Sequence, residues 1–259
     1  MSSRSLETTR VIARLDGKDN WLVKPVHLDG LRRLGLLEEF AQRYSEQCID
    51  EIFYVDAVAS LYGTEPNYEV IGKIGQKTFV PLTVCGGIRS VEDALRCLES
   101  GADKIAVNTA SLSDPNLIES LAKVIGSQSV VISVEAAATN TNKVVASCCS
   151  GKELSNWDLL EWVQRAQDLG AGEVVLTSVA HEGTRTGFDL GLIAKVEEIC
   201  RVPLIVSGGM GTATHAYELL NNIDVDGFAV ADFFHFGRGT ISDLKNLLKK
   251  QGFRMVLNG

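Results

Sequence analysis

The sequence contains no apolar run approaching the roughly 18 residues that a membrane-spanning helix needs. It also lacks an excess of positive charge: its formal net charge is −8, whereas a general nucleic-acid binder usually carries a basic face. The polar segment 1–9 has none of the apolar core of a secretory signal peptide. We therefore expect a cytoplasmic protein that binds neither membranes nor nucleic acids.

Metal-binding cysteine patterns are missing as well. The six cysteines include no Cys-x-x-Cys pair, and none lies near a histidine at zinc-finger spacing. Free, buried thiols are the expected state, because cysteine prefers the protein interior. Cys85 differs from the others because it lies in a Gly-Gly loop. Neither a metal ion nor another cofactor is predicted.

What the sequence does contain is an internal repeat, and such repetition bears directly on architecture. Each half has a short apolar run that ends at a carboxylate, followed by further apolar runs and Gly-Gly turns. The matching segments are 10–16 with 130–135, 50–56 with 172–178, 83–88 with 206–210, and 102–109 with 225–232.

Short runs of Val, Ile and Leu alternate with segments of helical period. The runs are continuous, as in parallel strands covered on both faces. Predicted strands lie near 11–16, 51–56, 80–84, 103–107, 129–134, 173–177, 203–206 and 226–231. Predicted helices include 36–48, 90–100, 114–126, 155–170, 189–200 and 239–251.

Eight strand–helix units predict a (β/α)8 TIM barrel that forms one domain over 1–259. Its half-barrels would span about 10–126 and 127–252. A doubly wound open sheet would place a glycine-rich fingerprint after the first strand, and 14–19 does not match one. Long loops are predicted at 17–35 and 136–154, and in a barrel they would lie at the catalytic face.

Asp16 and Glu135 are the candidate catalytic residues, since each is predicted to end the first strand of its half. Two carboxyl groups facing each other across the barrel mouth, one protonated and one ionised, can perform general acid–base catalysis. The alternative is structural: the carboxylates cap helices or pair with Lys18 or Lys24.

Glycine pairs after the third and seventh strands predict two anion sites, because glycine lets backbone N–H groups approach an anion closely. Glu182 and Asp232 either face away from the second site, or that site accepts something other than a dianionic phosphate. The phosphate-site candidates are Lys24, Gly86, Gly87, Asn108, Thr109, Gly183, Thr184, Gly208, Gly209 and Asp232.

Several motifs together resemble the cyclase subunit of imidazole glycerol phosphate synthase, over about 10–252. The resemblance adds Thr177 and Ser207 to the phosphate-site candidates. The motifs are Arg-Leu-Asp-Gly-Lys-Asp at 14–19, Val-Cys-Gly-Gly-Ile at 84–88, Ala-Asp-Lys-Ile-Ala-Val-Asn-Thr at 102–109, Ser-Gly-Lys at 150–152, Leu-Thr-Ser at 176–178, Glu-Gly-Thr-Arg-Thr-Gly-Phe-Asp at 182–189, Ser-Gly-Gly at 207–209 and Phe-His-Phe at 234–236.

The resemblance implies a metal-independent lyase that closes an imidazole ring in histidine biosynthesis. Ammonia would come from a glutaminase partner docked at the bottom of the barrel and would react with a bis-phosphorylated ribulosyl substrate at the mouth. Asp16 is then a catalytic acid or base, and Lys24 belongs to a mobile loop that closes over substrate. An alternating ring of charges would gate the ammonia passage, formed here by Arg10, Glu51, Lys104 and Glu173.

The chain departs from that family at the mouth. Glu135 replaces an aspartate, Cys85 a glycine and Asp232 a small hydroxyl residue, while Glu182 and Pro25 are further changes. Other readings therefore stay open: a paralogue that supplies ammonia to amidinate a surface-polysaccharide sugar, the sister isomerase barrel, or a non-catalytic conduit for a glutaminase.

Overall fold

The computed structural model describes residues 8–256, so most of the polar segment 1–9 lies outside the described residues. Within that range no helix has the length and apolar character needed to cross a bilayer. The strands are β1 Arg10–Lys18, β2 Trp21–Val26, β3 Asp29–Leu36, β4 Glu51–Asp56, β5 Leu82–Cys85, β6 Lys104–Val107, β7 Val130–Ala138, β8 Val144–Cys148, β9 Glu153–Asp158, β10 Glu173–Ser178, β11 Leu204–Ser207 and β12 Gly227–Val230. The helices are α1 Leu37–Glu46, α2 Ala59–Tyr62, α3 Tyr68–Lys77, α4 Val91–Glu99, α5 Thr109–Ser113, α6 Asn116–Ile125, α7 Leu159–Asp168, α8 Leu190–Glu197, α9 Ala213–Asn222, α10 Asp232–His235 and α11 Ile241–Lys250.

Eight parallel strands form a closed barrel, which confirms the predicted (β/α)8 fold. Around the barrel the order is β1, β4, β5, β6, β7, β10, β11 and β12, and β12 pairs again with β1. The two half-barrels meet where β6 pairs with β7 and where β12 pairs with β1. Helices between the strands cover the outside, so the strand ends at the carboxyl side converge on one mouth.

The two predicted long loops are β-hairpins, and the strands before them continue further than expected. β1 runs past Asp16 to Lys18 and pairs antiparallel with β2, which pairs with β3. β7 likewise runs past Glu135 and pairs with β8, which pairs with β9. The prediction that both carboxylates end their strands was therefore wrong, because antiparallel pairing within each loop extends the ladder beyond the barrel.

Helix starts follow their capping residues. The predicted helix 155–170 was wrong in its first turn: 155–158 belongs to β9, and the Asp158 carboxylate accepts hydrogen bonds from the N–H groups of Leu160 and Glu161. The helix predicted over 90–100 is confirmed as α4, and Ser90 and Asp93 form a reciprocal capping box at its start.

The barrel interior is arranged in layers. An apolar cluster separate from the outer core takes one residue from each barrel strand and fills the middle of the barrel. Charged side chains at the strand starts lie below it, and polar side chains at the strand ends lie above it. The cluster consists of Ile12, Phe53, Cys85, Ala106, Val131, Val175, Ile205 and Ala229.

Candidate active site

Asp16 and Glu135 are both buried at the mouth, on β1 and β7, and their strand positions are equivalent in the two half-barrels. Asp16 Oδ1 accepts a hydrogen bond of 2.9 Å from Arg14 Nε. Asp16 Oδ2 is buried and has no hydrogen-bond partner within 8–256. A buried carboxylate oxygen with unused lone pairs is a group available to a substrate.

The Glu135 carboxyl group is poised between its protonated and ionised forms. Burial raises its pKa to about 7, against the charge of Arg14 and a backbone hydrogen bond from Gly151, both of which favour ionisation. The Gly151 N–H lies 2.8 Å from Glu135 Oε2. Near neutral pH this group can therefore either give or take a proton.

Arg14 binds side chains from three barrel strands at the mouth, and it was not among the site residues predicted from the sequence. Besides binding Asp16, its Nη1 donates to Thr177 Oγ1 at 2.9 Å and to Ser207 Oγ at 3.5 Å. Its side chain is almost fully buried, and although burial disfavours its charge, Asp16, Glu182 and Glu135 together raise its pKa. The alternation of side chains along a strand could have predicted Arg14 as a site residue, because Arg14 and Asp16 lie on the same face of β1.

The first predicted anion site is an open cavity of about 330 Å³ on the β5–β6 side of the mouth. The structure brings Gly86, Gly87, Asn108 and Thr109 together there and adds Arg89, which sequence reasoning missed. Cys85, predicted in the Gly-Gly loop, is the last residue of β5, and burial raises the pKa of its thiol to about 12, so it stays uncharged. The cavity is thus lined by glycine backbone, a hydroxyl and an arginine, whose guanidinium donates to Gly63 O and Ala59 O.

The second predicted anion site is nearly filled, with only about 10 Å³ of open space. Six of the predicted residues line it: Lys24, Gly183, Ser207, Gly208, Gly209 and Asp232. Thr177 and Thr184 do not. Thr177 is fully buried against Arg14, and the Thr184 hydroxyl donates to His181 O at 2.8 Å within its own turn.

Both carboxylates of the second site are neutralised by basic neighbours. Lys24 Nζ contacts Glu182 Oε1, and both side chains are buried. Arg238 Nε lies 2.7 Å from Asp232 Oδ1. Both residues line the site, and each carboxylate is bound by one of these cations. Charge repulsion toward a phosphate is reduced by these ion pairs, and Arg185 adds a further cation to the lining.

The four predicted gate residues form a closed ring at the opposite end of the barrel. Arg10 binds Glu51 at 2.7 Å and Glu173 at 2.5 Å, while Lys104 binds the same two carboxylates at 2.9 and 3.0 Å. The Thr83 hydroxyl also donates to Glu51 at 2.6 Å. The carboxylates are buried and the cations are partly exposed, so the ring closes the floor of the barrel below the apolar layer.

A group of metal-ligating side chains lies in the turn that follows the strand paired with β7. Among residues 8–256, the group with this geometry is Cys148, Cys149 and Glu153, at the turn between β8 and β9. The mouth itself provides acid–base groups and anion-binding groups.

These features define a (β/α)8 barrel with a buried acid–base pair between two polar pockets. Residues 10–240 match the family described as histidine biosynthesis protein, and the chain belongs to that family. Its relatives include the imidazole glycerol phosphate synthase subunit HisF of Legionella pneumophila, which is 45% identical over 206 residues, 80% of this chain and 97% of the relative. The HisF subunit of Thermobifida fusca is 40% identical over 94% of this chain and 97% of its own length. That of Streptococcus sanguinis is 37% identical over 95% and 98%.

Proposed function

We propose that this chain is the ammonia-using cyclase subunit of an imidazole glycerol phosphate synthase and acts on a bis-phosphorylated ribulosyl substrate. The observation that carries the proposal is the buried carboxyl pair. Asp16 is ion-paired with Arg14, whereas Glu135 has a pKa of about 7. Two carboxyl groups in different environments are the usual arrangement for one base and one acid.

The chemistry of ring closure requires such a pair. When ammonia adds to a carbonyl group and water leaves, one group must take a proton from nitrogen and another must give a proton to oxygen. We assign the base to Asp16, whose Oδ2 is unpartnered, and the acid to protonated Glu135. No cofactor or metal ion enters this scheme.

An elongated substrate with a phosphate at each end suits the two pockets on opposite sides of the mouth. The Gly86–Gly87 pocket, with its arginine, is open to one phosphate. The Gly208–Gly209 pocket would take the other after the Lys24 hairpin moves outward, because it is nearly filled in the present conformation. In this proposal Lys24 leaves Glu182 and turns its charge toward the phosphate.

A glutaminase partner is proposed to dock at the floor of the barrel and deliver ammonia through the charged ring. Besides the ring, the floor has an aromatic side chain that a partner could contact: Phe79, in the segment that leads into β5, is 96% exposed. It borders a cavity of about 420 Å³ together with Pro81 and Asp103. Exposed aromatic groups beside a cavity are typical anchors at protein interfaces. A cytoplasmic location accords with this proposal.

The test is turnover of the bis-phosphate substrate, first with ammonium at high pH and then with glutamine and a glutaminase. Asp16→Asn should lower the ammonium-dependent kcat by about 10²–10⁴-fold, the usual contribution of a general acid or base. Asp19→Asn is the matched control, because Asp19 is exposed in the adjacent turn and should leave turnover unchanged.

Each alternative gives a different result. Equal activity of Asp16→Asn and wild type in the complex would mean that the barrel is only a conduit. Isomerisation of the precursor without ammonia would indicate the sister barrel. If the wild-type chain binds a glutaminase but does not turn over the bis-phosphate, the acceptor is a different molecule, as in the paralogue.

A further inference from the structure

The turn between β8 and β9 brings two thiols and a carboxylate together. Cys148 ends β8 and is paired in register with Glu153, the first residue of β9. Cys148 Sγ lies 4.0 Å from Glu153 Oε2, and the ligand atoms of Cys148, Cys149 and Glu153 all lie within 4.8 Å of one another. Cys149 is buried, Cys148 is half-buried and Glu153 is exposed, so the cluster is open on one side.

An unusual backbone conformation produces this convergence. Adjacent residues in a strand point to opposite faces, which would separate two consecutive thiols. Here the strand stops at Cys148, and Cys149 and Ser150 adopt left-handed conformations with φ of 53° and 58°. Such values are uncommon outside glycine. The left-handed turn is what allows two neighbouring sulfur atoms and Glu153 to face a common point.

The spacing of these atoms fits a small thiophilic cation. Zn²⁺ binds thiolates at about 2.3 Å in tetrahedral geometry, which separates two sulfur ligands by about 3.8 Å. The observed separations require only a small contraction. Two thiolates and a carboxylate suit Zn²⁺ better than Mg²⁺ or Ca²⁺, which prefer oxygen ligands alone. We propose that Cys148, Cys149 and Glu153 form a Zn²⁺-binding site, with its fourth position open to water.

The same turn contacts both halves of the mouth, so cation binding there would be felt at the active site. The Gly151 N–H donates to Glu135, and the Cys149 N–H donates to Thr109 Oγ1 at 3.2 Å. The Ser150 hydroxyl also donates to Ala57 O at 3.0 Å. The cation takes no part in the reaction. Its effect is to fix the turn that holds these contacts.

The test is Zn²⁺ binding by the reduced, metal-free full chain without substrate, measured by calorimetry and by competition with a chromophoric chelator. Wild type should bind a single Zn²⁺. Cys148→Ser should weaken binding by more than the roughly 10–100-fold that loss of an outer-shell partner costs. Glu153→Gln should weaken it less, because both thiolates remain. Cys48→Ser is the control, since Cys48 is an exposed cysteine that lies apart from the cluster, and its loss should leave affinity unchanged.

A second measurement needs no variant. Titration of wild type with Cd²⁺ should give the ultraviolet charge-transfer absorption of two thiolates per bound cation. Absence of saturable binding, absorption from fewer than two thiolates, or equal Zn²⁺ affinity in Cys148→Ser would overturn the site. Since no substrate is present, failure here leaves the proposed cyclase function untouched.

Discussion

Glu135 is a carboxyl group whose charge is set by opposing neighbours. Burial disfavours its ionised form, while Arg14 and the N–H group of Gly151 favour it, and the balance leaves a pKa of about 7. A buried carboxyl group with a pKa near the working pH is costly for the fold but useful for proton transfer. This cost can be measured directly.

We predict that Glu135→Gln stabilises the protein above neutral pH. Below pH 4.5 the wild-type side chain is neutral whether folded or unfolded, so the two proteins should differ little. Between pH 4.5 and about 7 only the unfolded wild-type chain releases the proton, so wild type loses stability relative to the variant as pH rises. The difference should level off above pH 7 at about 3 kcal/mol, and denaturant unfolding across this range measures it.

Glu99→Gln is the control for that experiment, because Glu99 is exposed at the end of α4. It should show no comparable pH-dependent gain. A constant difference between Glu135→Gln and wild type from pH 4 to 8 would show that the Glu135 pKa is close to its ordinary value.

At the scale of elements, the hairpin β2–β3 is the part that closes the second pocket. Its Lys24 binds Glu182, and the N–H of His27 donates to Glu182 O at 2.8 Å. Gly183 makes this approach possible, since a Cβ at that position would lie 2.9 Å from Pro25 O. The position of the hairpin over the pocket therefore depends on Gly183 and on the Lys24–Glu182 ion pair. Both can be altered without changing the barrel strands.

We predict that Gly183→Ala pushes the hairpin away from the pocket. The added methyl group collides with Pro25 and Val26, and the φ of 75° is unfavourable for alanine. Hydrogen exchange at the His27 amide should become faster, since that amide loses its acceptor on the turn.

Gly237→Ala provides the matched control. Gly237 also has a positive φ, of 61°, but a Cβ there meets nothing within 4 Å. It should reproduce the backbone strain without releasing the hairpin. Equal exchange at His27 in the two variants would refute the role of close packing at Gly183.

The sequence predicts some of these strands and helices and misses others. The sequence predicts the barrel strands because continuous apolar runs are a local signal, and it predicts α4 from the helical period of 90–100. For the two hairpins the sequence predicts loops, because their alternation of polar and apolar residues is short and interrupted by turns. Their pairing depends on partners that the chain reaches only after folding, such as the Glu182 turn for the first hairpin.

On the scale of the whole molecule, the charged ring and the carboxyl pair lie at opposite ends of one barrel, with an apolar layer between them. In the proposed function, this layout would separate the entry of ammonia from its use. It implies that changes at the floor and changes at the mouth should have different kinetic effects.

We predict that Lys104→Met uncouples the glutamine-dependent reaction while leaving kcat with external ammonium near that of wild type. The variant removes one cation of the ring and leaves Glu51 and Glu173 to Arg10 alone. It should also lower the free energy of unfolding by about 3 kcal/mol, because a buried charge loses a partner. The measurement is the ratio of product formed to glutamine hydrolysed, together with denaturant unfolding.

Lys123→Met is the control, since the Lys123–Glu119 pair is exposed on α6 and should affect neither quantity. An equal loss of ammonium-dependent and glutamine-dependent turnover in Lys104→Met would argue against a gate and for a purely structural ring.

The sequence by itself determined the order of the eight barrel strands, the barrel they form and the face on which Asp16 and Glu135 lie. These follow from local periodicity and from the rule that parallel strands present their carboxyl ends together. Only the tertiary structure decided the reach of Arg14, the pKa of Glu135, the pairing of Lys24 with Glu182 and the convergence of Cys148 with Glu153. Most of these depend on burial and on contacts between distant segments, and the last depends on a left-handed turn. No window of sequence contains that information.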